Sequence, residues 1–177
     1  MGTLLRRVLV LGALLFWQGG FTFYAAVVVH VGQDVLGSHR LQGFVTRRVT
    51  DFLNLAGAVT LPLLAWDLLA ARDPSPRRRR GRWACWAGMA ASLAVLVWLH
   101  ARLEALLEPA TFSILDPGAF DPAHRWYLHA STLQWACAVA YGVLTVWAWH
   151  DQDREAGAAA AAEKNRARPC PPAGERL

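Results

Sequence analysis

Residues 72–83 read RDPSPRRRRGRW, with six arginines among twelve residues, and they separate two long apolar stretches. In a soluble domain such a run would suggest an acidic partner such as nucleic acid. Between two membrane helices it instead indicates the cytoplasmic side, where short loops rich in Lys and Arg remain. The apolar stretches at residues 52–71 and 83–101 favour the second interpretation, because each approaches the roughly 20 residues that cross a bilayer as a helix.

The overall composition also favours a membrane protein. The 177-residue chain is 55% hydrophobic and contains nine tryptophans, which is too apolar for an ordinary soluble domain. Its net charge of +5 lies in clusters between apolar blocks, so the position of the charges is more informative than their sum. The three cysteines have no metal-binding spacing, and their odd number gives no complete disulfide framework.

Four apolar stretches predict four membrane-spanning helices, approximately at residues 8–31, 52–71, 83–101 and 126–149. Between the first two helices we expect a turn near Gly37 or Gly43. Residues 151–177 combine alanine and charge without an apolar face, which predicts a disordered tail, with a brief helix as the alternative. The predicted fold class is all-α, an integral membrane four-helix bundle formed by residues 1–150.

The distribution of basic residues predicts the orientation. A cytoplasmic N-terminus places 13 of the 18 Lys and Arg residues inside and leaves five arginines outside, namely Arg40, Arg47, Arg48, Arg102 and Arg125. The same orientation puts five tryptophans at cytoplasmic helix ends, as expected for an aromatic belt: Trp66, Trp83, Trp86, Trp147 and Trp149. We therefore expect a protein of the inner (plasma) membrane with both termini in the cytoplasm.

The arginine run is expected to set this topology and to contact anionic lipid headgroups. The residues concerned are Arg77, Arg78, Arg79, Arg80 and Arg82. No exposed aromatic residue accompanies the run and no DNA- or RNA-reading motif occurs elsewhere, so the lipid bilayer is the expected partner and nucleic acid is not.

Small residues repeat every four positions in the last two predicted helices, which allows membrane helices to approach closely. The predicted packing positions are Gly88, Ser92, Gln134, Ala138 and Gly142. They would face other helices of the same chain, a second copy in a homo-oligomer, or another membrane protein. The amide of Gln134 is expected to form an interhelical hydrogen bond.

Three histidines are predicted to reach a similar depth near the outer face. Counting about 1.5 Å per residue along each helix brings His30, His100 and His129 to this level. Imidazole ligates haem iron and copper, so the three side chains are a candidate metal site. Solvated or hydrogen-bonded histidines are the alternative, and CxxCH and HExxH motifs are absent. The sequence therefore predicts no cofactor, with haem or copper as the alternative.

Catalytic motifs are also absent from the sequence, including GxSxG, the P-loop and GxGxxG. A non-enzymatic structural or interaction role is favoured over an enzymatic one. The alternative is a haem- or copper-handling membrane protein with a histidine site near the outer face.

Three stretches carry a family resemblance: FWQGGFTFYAAVVVHVG (16–32), QGFVTRRVTDFLNLAG (42–57) and AHRWYLHASTLQW (123–135). They resemble uncharacterised four-helix membrane proteins of the transmembrane-protein-205-like group, which is distantly similar to CopD-type copper-resistance membrane proteins. His30 occupies a place where that group usually has proline. The resemblance implies a four-helix fold and assigns no site residue.

Overall fold

The computed structural model describes residues 2–71, 73–108 and 113–166, apart from the side chains of residues 39 and 40, and it is almost entirely helical. Its four long helices are α1 (Gly2–Leu36), α2 (His39–Ala70), α3 (Pro76–Ala105) and α4 (Pro117–Arg166). The prediction of an all-α chain is confirmed.

Helix α1 contains two π-helical turns, Leu15–Gly19 and Tyr24–Val28. A π-helical turn accommodates an extra residue and so rotates the side chains that follow it. In the first of these turns the adjacent residues Trp17 and Gln18 are both buried, although neighbours in an ordinary helix point in different directions.

The connections between helices use residues suited to each terminus. Gly37 ends α1 in the left-handed conformation (φ 61°), so the turn falls at the first of the two predicted glycines. Ser38 and Ser75 cap α2 and α3, each accepting a hydrogen bond from a backbone amide of the first turn. Pro76 occupies the start of α3, where its missing N–H is not needed.

A two-stranded hairpin connects α3 to α4. Strands β1 (Leu107–Glu108) and β2 (Ser113–Ile114) pair in antiparallel fashion. Asp116 then accepts a hydrogen bond from the amide of Ala119 at 3.1 Å, which caps the first turn of α4.

Each helix begins before its predicted apolar stretch, and α1, α3 and α4 also end beyond theirs, because hydropathy detects only the apolar part of a helix. The difference is largest in α4, which begins at residue 117 and continues to residue 166. Residues 151–166, for which we predicted disordered chain, are helical, in keeping with the high helix propensity of their alanines. The rest of the predicted tail lies outside the described residues.

The helices pack in sequence, α1 on α2, α2 on α3 and α3 on α4, and α4 also contacts α1. All four contribute to one apolar core, which consists of Val10, Leu14, Trp17, Leu61, Leu64, Leu68, Met89, Leu93, Ala138, Tyr141 and Trp149. Many large apolar side chains nevertheless face outward, among them Phe16 and Phe52 at 76% and 72% exposure. Soluble monomers rarely expose so extensive an apolar surface.

Within the described residues, three helical segments are long and apolar enough to cross a membrane: Gly2–Leu36, Leu41–Ala70 and Pro76–Ala105. Helix α4 is longer, but no part of it that the structure describes meets the same combination of length and hydropathy.

We expect Gly57→Ala to destabilise the contact between α1 and α2. A Cβ atom at Gly57 would lie 2.6 Å from Cζ2 of the buried Trp17 ring, and relieving such overpacking costs about 1–3 kcal/mol. Gly43→Ala on the same helix is the control, because a Cβ atom there would meet open space. Unfolding of the purified protein in detergent measures the effect. Equal stability of the two variants would contradict the close packing.

Candidate functional site

One end of the helix assembly, which we call the arginine end, is connected by ion pairs from all four helices. We define the arginine network as Arg6, Arg7, Asp67, Asp73, Arg78, Arg82, Asp151 and Asp153. Its four arginines and four aspartates balance in formal charge.

The centre of the network is a buried ion pair between α2 and α3. A terminal nitrogen of Arg82 lies 2.6 Å from Oδ2 of Asp67, and the two side chains are 1% and 0% exposed. Nε of Arg82 donates to the Thr145 hydroxyl on α4, and its guanidinium lies 5.6 Å from the centre of the Tyr141 ring. The other oxygen of Asp67 is 3.0 Å from Nε of Arg6 on α1. A single charge pair thus contacts all four helices.

A second part of the network joins the connection between α2 and α3 to α4. Asp73 accepts hydrogen bonds from Arg78 and from the amide of Ser75, while Arg78 also donates to Asp151 at 2.6 Å. Burial by itself would raise the pKa of Asp73. The hydrogen bonds from Arg78 and Ser75 and the charges of Arg78 and Arg82 outweigh burial and lower this pKa overall.

The third part joins the beginning of α1 to α4 beyond the core. Both terminal nitrogens of Arg7 bind the Asp153 carboxylate, at 2.8 and 3.0 Å, and the guanidinium lies over the Trp149 ring. The hydrogen bond from Arg7 lowers the pKa of Asp153, and the charges of Arg7 and His150 act in the same direction. This contact is exposed, so its contribution to stability is small.

The arginine run is divided by this arrangement. Arg78 and Arg82 are buried in ion pairs, whereas Arg77, Arg79 and Arg80 are exposed. The helical repeat is the reason, because residues four apart lie on the same face. The expectation that all five contact lipid headgroups is therefore corrected for Arg78 and Arg82, which bind aspartates in the interior.

The partner of Arg82 was missed at the sequence level, although a signal was present. Asp67 is the one ionisable residue in the apolar stretch LPLLAWDLLA (61–70). An ionisable residue within an apolar helix is by default a candidate functional residue with a partner of opposite charge.

The predicted packing residues all lie where helices of this chain meet. Ser92, Gln134 and Ala138 are buried. A Cβ atom at Gly88 would lie 2.8 Å from Sγ of Cys137, and one at Gly142 would lie 3.5 Å from Cδ2 of Leu14. Both glycines therefore contact neighbouring helices of the same chain, and they are not free to form a contact with a second copy.

Two buried amides in the interior lack partners. Nε2 of Gln134, and both amide atoms of Gln18, have no hydrogen-bond partner among the described residues. The interhelical hydrogen bond predicted for the Gln134 amide is therefore not made through Nε2.

The opposite end of the helices, the histidine end, carries a smaller polar cluster. Nε2 of His100 lies 2.8 Å from Oδ1 of Asp51 on α2 and 3.9 Å from Oε1 of Glu104, one turn further along α3. Arg47 on α2 donates from Nε to the same Glu104 oxygen. We call Asp51, His100 and Glu104 the histidine cluster, and one potential ligand atom from each lies within 4.8 Å of the others.

The predicted site of three imidazoles requires correction, because only His100 belongs to a cluster with metal-ligand spacing in the described part of the chain. His30 and His129 are exposed, and the His129 ring makes an edge contact with Trp126. Counting residues gives the depth of each histidine but not the rotation of its helix, and rotation decides which rings converge.

No known protein family, curated protein or solved structure matches this chain. Its function is therefore inferred from its own geometry.

We expect Arg82→Met to destabilise the protein by about 3–5 kcal/mol, because it leaves the buried Asp67 charge without its closest partner. Arg80→Met on the exposed side of the same helix is the control and should change stability by no more than about 0.5 kcal/mol. The double variant Arg82→Met/Asp67→Leu should recover part of the loss, since it removes both charges. Similar unfolding of the two single variants would contradict a structural role for the pair.

We expect Asp73 to make stability depend on acid pH. Its folded-state pKa is lowered, so its contribution is complete above the unfolded value of about 3.9 and is lost as the pH falls through the lower folded value. Asp73→Asn keeps an oxygen acceptor for the Ser75 amide but loses the charge. This variant should be less stable at neutral pH and should lose less stability on acidification than the parent, as measured by unfolding between pH 7 and 3. An unchanged pH profile would contradict the assignment.

Proposed function

We propose that this chain is a multi-pass integral membrane protein whose four helices form one bundle in the inner (plasma) membrane. It has a non-enzymatic structural or interaction role, and both termini lie in the cytoplasm. The resemblance to the transmembrane-protein-205-like group is part of the same proposal.

The proposal rests on two exposed tryptophans of α4, which lie at two levels along the helix. Trp126 near the histidine end and Trp147 near the arginine end are 67% and 58% exposed. Their positions along the helix are about 30 Å apart at 1.5 Å per residue, which equals the usual thickness of the hydrocarbon core. Tryptophan favours both membrane interfaces, so this spacing supports a membrane position for α4, which is not among the three segments identified by length and composition.

The other helices support the same two levels. Trp66 on α2 is exposed near the arginine end, and Trp98 on α3 is exposed near the histidine end. Between the levels, exposed side chains of α4 are mainly apolar and include Leu133, Val139 and Val143. The central pair of the arginine network, Arg82 and Asp67, instead lies inside the assembly.

The orientation follows from the basic residues of the arginine end. The tendency of a loop to remain in the cytoplasm depends on its number of Lys and Arg residues and not on its net charge. The ion pairs of Arg78 and Arg82 therefore do not weaken this argument. In the folded protein Arg77, Arg79 and Arg80 remain exposed and available to anionic headgroups of the inner leaflet.

The role as a structural or interaction protein rests on how the polar groups are used. The arginine network consists of arginine–aspartate pairs whose charges balance, and its central pair is sealed from solvent. Such a network fixes the positions of helices and leaves no activated nucleophile among its own members. A second copy or another membrane protein would bind an outer apolar face, because Gly88 and Gly142 are occupied within the chain.

Alkaline phosphatase insertions test the orientation, because this enzyme is active only outside the cytoplasm. We expect activity when it is inserted after Gly37 or before Pro117, and no activity when it is inserted after Pro74 or fused after Arg166. A green fluorescent protein at each position is the matched control and should give the opposite pattern. Activity at Pro74 and fluorescence at Gly37 would invert the proposed topology, and fluorescence at all four positions would rule out a membrane-spanning bundle.

A further inference from the structure

We propose that the histidine cluster of Asp51, His100 and Glu104 is a binding site for a divalent first-row metal ion, with Zn²⁺ as the representative ion. This site differs in its residues and in its donor atoms from the three-imidazole site expected from the sequence. The proposal does not depend on the orientation of the chain in the membrane, so it can fail or succeed independently of the proposed topology.

The spacing of the ligand atoms fits one metal ion. Zinc binds imidazole nitrogen and carboxylate oxygen at about 2.0–2.2 Å, so two ligands of one ion lie about 3–3.5 Å apart. The distances from His100 Nε2 to oxygens of Asp51 and Glu104 are 2.8 and 3.9 Å, on either side of that range. The third separation, between the Asp51 and Glu104 oxygens, is within 4.8 Å, so rotation of the carboxylates is needed to bring all three atoms to a common ion.

The elements that carry the ligands are well suited to holding them in place. His100 and Glu104 are four residues apart on α3, so they project from the same face of the helix. Asp51 lies within the neighbouring helix α2, whereas Glu104 lies in the last turn of α3, which ends at Ala105. A bound ion would thus cross-link α2 and α3 at the histidine end.

The donor set favours a borderline divalent ion. One imidazole nitrogen and two carboxylate oxygens suit zinc and its first-row neighbours, whereas Ca²⁺ requires six to eight oxygen ligands. Asp51 is 44% exposed, so the cluster is open to solvent on one side and water can complete the coordination. Haem and Cu⁺, which favour nitrogen or sulfur ligands, are a poorer match to two carboxylates.

Arg47 would compete with a metal ion for the Glu104 carboxylate. Its guanidinium binds Oε1 of Glu104 and places a positive charge beside the site. A metal ion must therefore displace this contact or use the second oxygen of the same carboxylate. Replacement of Arg47 by a neutral residue should strengthen metal binding, which would not happen if the cluster were merely a set of surface hydrogen bonds.

Zinc titration of the purified, tag-free full-length protein in detergent tests the site, after removal of metal with a chelator. A competing fluorescent zinc indicator gives the affinity, and elemental analysis gives the stoichiometry. We expect a single stoichiometric site whose affinity falls roughly tenfold or more in His100→Ala and in Asp51→Asn. His30→Ala and His129→Ala are the matched controls and should bind as the parent does. Ca²⁺ and Mg²⁺ in excess should not displace zinc.

If replacing a metal-binding residue also disturbs folding, a variant that binds zinc more tightly than the parent still tests the site. Arg47→Gln should bind zinc more tightly than the parent, while Arg48→Gln, which changes the exposed neighbour, should not. Three results would overturn the proposal: no stoichiometric zinc in the parent, unchanged binding in His100→Ala, or identical affinities in the two arginine variants. Loss of binding only in His30→Ala or His129→Ala would also overturn it and would place zinc at another histidine.

Discussion

The ion pair between Arg82 and Asp67 is the interaction on which the helix arrangement depends. Two charges withdrawn from water are tolerated only while they remain together and hydrogen-bonded, and removal of either one is costly. Their contact fixes α2 against α3, and the further contacts with Thr145 and Arg6 extend the same constraint to α4 and α1. Apolar side chains of similar volume could fill the same space without this requirement for precise partners, so the pair restricts how the helices can be arranged.

A second constraint determines how closely the helices approach one another in the apolar part of the interior. In a membrane the hydrophobic effect provides little attraction between helices, so packing and interhelical hydrogen bonds must hold them together. Gly57 allows the Trp17 ring to lie against the backbone of α2, and Gly88 does the same for Cys137 between α3 and α4. Hydrogen bonds from Trp86 and Tyr141 to carbonyl groups of α2 add polar contacts within this apolar interior.

The number of helices could be predicted from the sequence, because it depends on the length of the apolar stretches. A turn near Gly37 or Gly43 could also be predicted, because glycine tolerates the left-handed conformation, but the choice of Gly37 came from the structure. The helix ends could not be predicted, because residues 151–166 are polar yet helical, and hydropathy does not detect such a segment. For the candidate sites, the sequence gives the position of each residue along its helix but not the rotation of that helix about its axis. The spacing of Arg78 and Arg82 could have shown that they share a face, whereas the meeting of Asp51 with His100 depends on how α2 and α3 are rotated against each other.

The two ends of the protein differ in how their charged groups are paired, and this difference gives the two ends different roles. At the arginine end the four positive and four negative groups of the arginine network balance in formal charge, and the central pair is sealed from water. At the histidine end two carboxylates and an imidazole face a single neighbouring guanidinium, and Asp51 is open to solvent. The histidine cluster therefore has more groups that can donate an electron pair to a metal ion than it has neighbouring cations. Because α2 and α3 carry groups of both clusters, an ion at the histidine end would restrain the same two helices that the Arg82 pair holds at the other end.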